Sequence, residues 1–183
     1  MSEETNANVS EIKVKGILTK KGIRISEKSS IDSLSQRGYG TQEEKTFKVS
    51  FYESLYLVDK ELLKVENEDG EPIDFQHLLQ RYESVDENAW VNYLVYRDLR
   101  NRGYVVREGF GSGIDFRIYE RGAYGKDTAQ YLVLSTLEGK PLPIRTLANA
   151  VQQCQSQKKE LILAVMNRRG EVVHYSVSPL AFK

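Results

Sequence analysis

Apolar and polar residues alternate loosely from Ile12 to Ile25 on either side of Lys20-Lys21-Gly22, which predicts a β-hairpin closed at that turn. Ile31 to Leu34 predicts a short helical turn, ended by Gly38-Tyr39-Gly40. From Val49 to Asp59 the apolar period lengthens to that of a helix, with Phe51, Leu55 and Val58 on one face. Ser50 and Glu53 stand at capping-box spacing, where the two side chains satisfy each other's backbone N–H groups. Leu62 to Glu66 is a short strand before the Asp69-Gly70 turn, and Pro72 to Ser84 a second helix with Phe75, Leu78, Leu79 and Tyr82 inward. Residues 12–85 thus predict a small mixed α/β domain.

The pattern strengthens at Asn88. Between there and Arg102, Trp90, Val91, Tyr93, Leu94, Val95, Tyr96 and Leu99 cover most of a helical circumference, and Gly103 caps the end. A helix apolar on so many sides is buried between layers or domains. Strands are expected over Tyr104–Arg107, Ile114–Tyr119 and Gln130–Thr136. A helix over Pro143–Gln155 carries a stripe of Ile144, Leu147, Val151 and Cys154, and Leu161–Met166 and Val172–Val177 form a hairpin around Asn167-Arg168-Arg169-Gly170. Residues 86–183 are therefore a second, β-rich domain of a two-domain α/β (α+β) chain. Residues 1–11 are polar and acidic, lack a signal-peptide core and read as a disordered lead.

Composition narrows the chemistry. The chain has 183 residues, with 26 Lys+Arg against 26 Asp+Glu, a balance that disfavours bulk-charge binding to nucleic acid but permits a local basic patch. Residues 86–183 carry a net +4 and the remainder a net −4. The single cysteine, Cys154, excludes an internal disulfide and a cysteine-built zinc site, and its place on an apolar stripe marks it as core. No apolar run reaches the roughly 20 residues of a membrane span, so a cytoplasmic protein is expected. Two histidines, His77 and His174, leave little for metal chemistry, and neither sits in a nucleophile motif. Asp115 with Glu138-Gly139-Lys140 has the letters of a metal-dependent nuclease, but the second group falls in a turn that would not hold ligands rigidly. Gly109-Phe110-Gly111-Ser112-Gly113 lacks the Walker pattern and reads as a hairpin turn.

Two stretches carry more information. Tyr93-Leu94-Val95-Tyr96-Arg97-Asp98-Leu99-Arg100-Asn101-Arg102-Gly103-Tyr104-Val105-Val106 and Asp115-Phe116-Arg117-Ile118-Tyr119-Glu120-Arg121-Gly122 closely resemble the archaeal tRNA-splicing endonuclease family. Phe51-Tyr52-Glu53-Ser54-Leu55-Tyr56-Leu57 and Lys158-Lys159-Glu160-Leu161-Ile162-Leu163-Ala164-Val165 extend the likeness more weakly. The resemblance implies a small mixed N-terminal domain and a nuclease-like C-terminal sheet flanked by helices. It implies a metal-independent endonuclease that uses no cofactor, cuts precursor tRNA or other RNA at a bulge-helix-bulge, and leaves a 2′,3′-cyclic phosphate and a 5′-hydroxyl. Such enzymes use a Tyr, a His and a Lys. Tyr119 matches the Tyr, a general base at the 2′-hydroxyl. Lys159 matches the Lys, which stabilises charge on the phosphorane, with Lys158 the alternative if the register slips.

The match has gaps. The family's His lies in the loop after the Tyr, and Ala123 to Tyr131 contains none; Thr128 falls nearest, with Ala129 next. A threonine hydroxyl titrates far above neutral, and loss of general-acid catalysis costs about 10²–10⁴ in rate. Gly111-Ser112 replaces a basic-aromatic pair, and the usually acidic last turn, which docks on a neighbouring subunit, here carries Arg168 and Arg169. The expectation is a subunit with an incomplete site, partnered by itself or by another subunit. The alternatives are an active enzyme whose acid is replaced, by Lys126 or by a water on Asp127 and Thr128, or an assembly protein without an RNA role. Arg117, Arg121 and Arg145 are candidate RNA contacts. Val173, Tyr175 and Val177 alternate along a terminal strand that the family uses for pairing, and form a candidate interface with Arg168 and Arg169.

Overall fold

A computed structural model describes residues 13–111 and 113–179. The expected lead over residues 1–11, Ile12 and Ser112 lie outside them. The N-terminal part is a six-stranded sheet with three helices. Its elements are β1 (Val14–Thr19), β2 (Gly22–Ile25), α1 (Lys28–Gln36), β3 (Thr41–Glu43), β4 (Thr46–Val49), α2 (Phe51–Asp59), β5 (Leu63–Glu66), β6 (Pro72–Ile73) and α3 (Phe75–Glu83). The sheet order is β3-β4-β2-β1-β5-β6, with β1 and β5 parallel. The C-terminal part follows as α4 (Ala89–Asn101), β7 (Val105–Glu108), β8 (Phe116–Tyr119), β9 (Tyr131–Leu137), α5 (Ile144–Ser156), β10 (Glu160–Met166) and β11 (Val172–Val177). Its sheet order is β11-β10-β9-β8-β7. Only β9 and β10 run parallel there, and α5 is the crossover that a parallel pair requires.

Most local signals act where they stand. The β1–β2 hairpin turns at Lys20-Lys21, and the capping box opens α2. The Glu53 carboxylate accepts from the Ser50 backbone N–H and from the Ser50 hydroxyl, each at 3.0 Å. Some boundaries differ for local reasons. Val49 completes β4, so α2 begins only at Phe51. Pro72–Ile73 pairs with β5, and Asp74 then caps α3 through the His77 N–H at 2.8 Å. The helical turn expected at 31–34 is one part of the nine-residue α1. The β3–β4 hairpin was not legible, because every β3 residue is exposed and the strand has no alternation.

α4 is the shared wall. It packs on α2 and α3 on one side and on the C-terminal sheet on the other, and Tyr93, Val95 and Tyr96 are essentially inaccessible. One continuous core runs from Val14 and Ile23 through α2 and α4 to Val133, Ala164 and Met166. Trp90 is the correction: at 41% exposure it lies on the solvent side, tilted against Tyr93. A smaller core under α5 joins Leu132, Leu134 and Leu161 to Ala150 and Cys154, where burial pushes the Cys154 thiol up. Ile144 does not join its stripe and is 85% exposed in the first turn of α5.

The two parts are also pinned by charge. Arg107 of β7 donates to the carbonyls of Gly38 (3.0 Å) and Gly40 (2.6 Å) and to the Thr41 hydroxyl (2.7 Å). It meets the buried Glu53 carboxylate at 3.4 Å. The Gly40 N–H also donates to Glu53, at 3.2 Å. Gly40 has φ +69, so only a residue tolerant of the left-handed region lets this loop turn both carbonyls toward Arg107. Removing one partner of a buried pair leaves the other charge uncompensated, so Arg107→Ala should lower the unfolding free energy by about 3–5 kcal/mol. Urea titration would check this, and a loss no greater than that of an exposed arginine such as Arg145 would contradict it.

Candidate active site

Register brings the expected residues to one place. Ile118 of β8 faces Tyr131 of β9, and Tyr131 faces Glu160 of β10. One position further toward the sheet end, Tyr119, Gln130 and Lys159 therefore form the next row, and the Glu160 N–H donates to the Gln130 carbonyl at 3.1 Å. Strands lie roughly 4.8 Å apart, so Tyr119 and Lys159 are about 10 Å apart along this row, on the face that α5 covers. Alternation along each strand gives them a common face, opposite the one that packs on α4.

Each is held by identifiable contacts. Lys159 is placed by the end of α5. The Lys158 N–H donates to Gln155 O at 3.1 Å and the Lys159 N–H to Cys154 O at 2.9 Å, the paired bonds of a Schellman motif. Lys158 takes the left-handed conformation (φ +53) and is exposed, whereas Lys159 is half-buried, its ammonium donating to the Ala129 carbonyl. Tyr119 is half-buried and meets Tyr124 edge to face, ring centroids 5.2 Å apart. Tyr124 in turn lies beneath the Arg107 guanidinium, at 5.8 Å, so the loop after β8 leans on the same arginine that pins the two parts together. Tyr124 carried no sequence signal, since its partners are distant in the chain.

The loop from Glu120 to Gln130 is built of turns, with Gly122 and Gly125 both at positive φ. Thr128 is exposed and precedes the buried Ala129, whose carbonyl accepts from the Lys159 ammonium; the position expected for an imidazole holds no titrating group. Lys126 and Asp127 are exposed in the same loop. The two histidines lie elsewhere. His77 sits exposed on α3, its Nδ1 at 2.7 Å from Asp74, and His174 is on β11, on the α4 side of the sheet. Among the arginines, Arg117 donates to the Glu108 carbonyl at 3.1 Å and stacks over Phe110, while Arg121 and Arg145 are exposed. Arg168 and Arg169 are exposed at the β10–β11 turn. Val173 (45%) and Tyr175 (53%) are exposed on the edge strand β11, whereas Val177 is half-buried against the α5 core.

Asp115 has a structural use. Its carboxylate accepts from the Ser135 N–H at 2.6 Å, and its own N–H donates to Val133 O at 2.8 Å, fixing the start of β8 on β9. Lys140 is turned to Asn88 and Glu87, and among the described residues no three His, Cys, Asp or Glu side chains form a group that could hold a metal. Gly109 directly follows β7, and its N–H donates to the Asp115 carbonyl at 2.8 Å. A Cβ on Gly109 would strike the Ile114 carbonyl oxygen at 2.1 Å.

Fold and site together define a two-domain α/β protein with a phenol and an ammonium on one row at a sheet end. The sequence matches the family model for the N-terminal domain of tRNA intron endonucleases over residues 14–79 and that for their catalytic C-terminal domain over residues 89–175. It is 36% identical to the tRNA-splicing endonuclease of Methanococcus maripaludis over 89% of this chain and 92% of that protein. It is 34% identical to that of Methanothermobacter thermautotrophicus over 76% and 81%. With the tRNA-splicing endonuclease of Methanosarcina acetivorans it shares 32% identity over 82% of this chain and 42% of that protein. The chain belongs to the tRNA intron endonuclease family. Among the described residues no helix is long and apolar enough to cross a membrane.

Burial raises the Asp115 carboxyl above the ordinary aspartate value of 3.8, outweighing its bonds to Ser135. The folded state therefore binds that proton more tightly than the unfolded state, and this contribution to stability fades as pH rises through the folded value. Asp115→Asn keeps an acceptor for the Ser135 N–H and cannot ionise. Its urea midpoint relative to the parent should rise between about pH 4 and pH 7. A falling difference would show that the charged carboxylate is the stabilising form.

Proposed function

We propose that this chain is a cytoplasmic subunit of a tRNA-splicing endonuclease that grips bulge-helix-bulge precursor RNA through a catalytically incomplete site of its own. The observation that carries the proposal is the row of Tyr119 and Lys159 beside a loop whose Thr128 cannot donate a proton at neutral pH. The family chemistry is an internal displacement. A base takes the 2′-hydroxyl proton, the 2′-oxygen attacks phosphorus, and the P–O5′ bond breaks, giving the cyclic phosphate and a 5′-hydroxyl. Tyr119 is suited to the first proton and Lys159 to the charge on the non-bridging oxygens. The leaving 5′-oxygen has no comparable donor here, which costs about 10²–10⁴ in rate unless Lys126 or a bound water serves. Arg117, Arg121 and Arg145 are the proposed phosphate and base contacts.

The assembly reading is supported by β11. It is an edge strand with Val173 and Tyr175 exposed on one face, and the adjoining turn presents Arg168 and Arg169. A second copy or a related subunit that pairs there would cover this apolar surface, and the two arginines suit an acidic partner.

Incubation with bulge-helix-bulge RNA in EDTA tests the reading. The chain alone should bind, with affinity falling steeply as salt rises, and should cut slowly or not at all, whereas Thr128→His should raise cleavage at least tenfold. Tyr119→Phe in that background should abolish the gain. Rapid cleavage by the unmodified chain alone would overturn the incomplete-site reading, and no RNA binding with or without a partner subunit would leave only an assembly role.

A further inference from the structure

A cavity lies behind the row of Tyr119 and Lys159, on the α4 face of the same sheet. It measures about 180 Å³, and its walls include Arg102, Tyr104, Ile118, Tyr131, Ile162 and His174. Ile118 and Tyr131 are register partners, each one residue from the Tyr119 row, so the cavity sits at the same end of the sheet. With Leu99, its lining comprises two tyrosines, two isoleucines, one leucine, one guanidinium and one imidazole.

The polar groups are specific. His174 Nε2 is buried and makes no hydrogen bond to any of the described residues. The neighbouring carboxylate, Asp98, stands 3.7 Å from it, too far for one, and is taken up by Arg102 at 2.7 Å. Burial holds the His174 imidazole below its ordinary value, and Asp98 and Arg102 act on it in opposite directions. At neutral pH the ring is therefore uncharged, with one N–H and one bare nitrogen. Such a site suits a flat heterocycle with both donors and acceptors on its edge, stacked on tyrosine. A bare phosphate or carboxylate suits it poorly, because its one arginine is already paired and Asp98 lies alongside. A lipid chain would not fit in the volume.

We propose that this cavity is a nucleobase pocket, and that it takes an unstacked base of the precursor RNA close to the scissile phosphate held at Tyr119 and Lys159. The inference rests on the RNA-binding reading above. The pocket gives that reading a second foothold on the opposite face of the sheet, one that holds a base where the active-site row holds a phosphate.

The two histidines make the test direct. In the full chain with isotope-labelled histidine there are two imidazole signals, and His77, exposed on α3, is the internal control. Bulge-helix-bulge RNA should shift the His174 signal and leave His77 in place, and adenosine 5′-monophosphate should do the same more weakly. Tyr131→Ala should weaken RNA binding about tenfold, as expected for loss of one base–aromatic stack, and Tyr131→Phe should retain it. RNA bound with His174 unmoved would overturn the pocket while leaving the RNA reading intact. A His174 shift with the mononucleotide in a chain that binds no RNA would support the pocket and sink the RNA reading. If Tyr131→Ala changes the mass of the assembly and not RNA affinity, the cavity belongs to a partner subunit's side chain and the proposal falls.

Discussion

The buried carboxylate of Glu53 organises more of this protein than any other group. At the start of α2 it closes the capping box with Ser50, takes the Gly40 N–H, and meets Arg107 of the other sheet. A charge so deeply buried is tolerable only with its lone pairs filled and an opposite charge nearby. The loop of residues 37–41, the end of β7 and the first turn of α2 must therefore be in place together. Arg107 also lies over Tyr124, and Tyr124 braces Tyr119. The geometry of the candidate site thus depends, through three side chains, on a charge in the other half of the chain.

Local order was legible where a few adjacent residues decide it. The Ser50–Glu53 box, the Lys20-Lys21 turn, the apolar circumference of α4 and the terminal hairpin all follow from spacing alone. What escaped depends on neighbours far along the chain. β3 exists because β4 offers it a ladder, although Thr41, Gln42 and Glu43 are all exposed. Trp90 reads as core by type, yet α2, α3 and the sheet together leave one side of α4 open, and it falls there. Arg107 looks like an ordinary strand arginine until Gly38 and Gly40 turn their carbonyls toward it.

The site was legible in a different way. No spacing rule connects Tyr119 to Lys159, which a parallel crossover brings onto one row, a placement that composition cannot reveal. The roles proposed for them rest on likeness to a family, and the row on which they stand came from register. Glu138-Gly139-Lys140 shows the opposite case, in which suggestive letters end in a turn where Lys140 bonds Asn88. The unpaired nitrogen of His174 left no trace in the sequence, because only the packing of β11 against α4 and β10 deprives it of a partner.

The helix shared by the two halves has a consequence for how such a protein can evolve. Because α4 contributes to a single apolar core, the region near residue 85 divides the sequence without dividing the stability. Neither half could be traded for that of a distant relative without re-cutting the surface that α4 presents to the other. Exposed loops such as the stretch around Thr128 lie outside that constraint, whereas the tyrosine-rich seam beneath them is bound by the packing of the core. In this fold an exposed loop at the sheet end can change with little cost to the core, and α4 cannot.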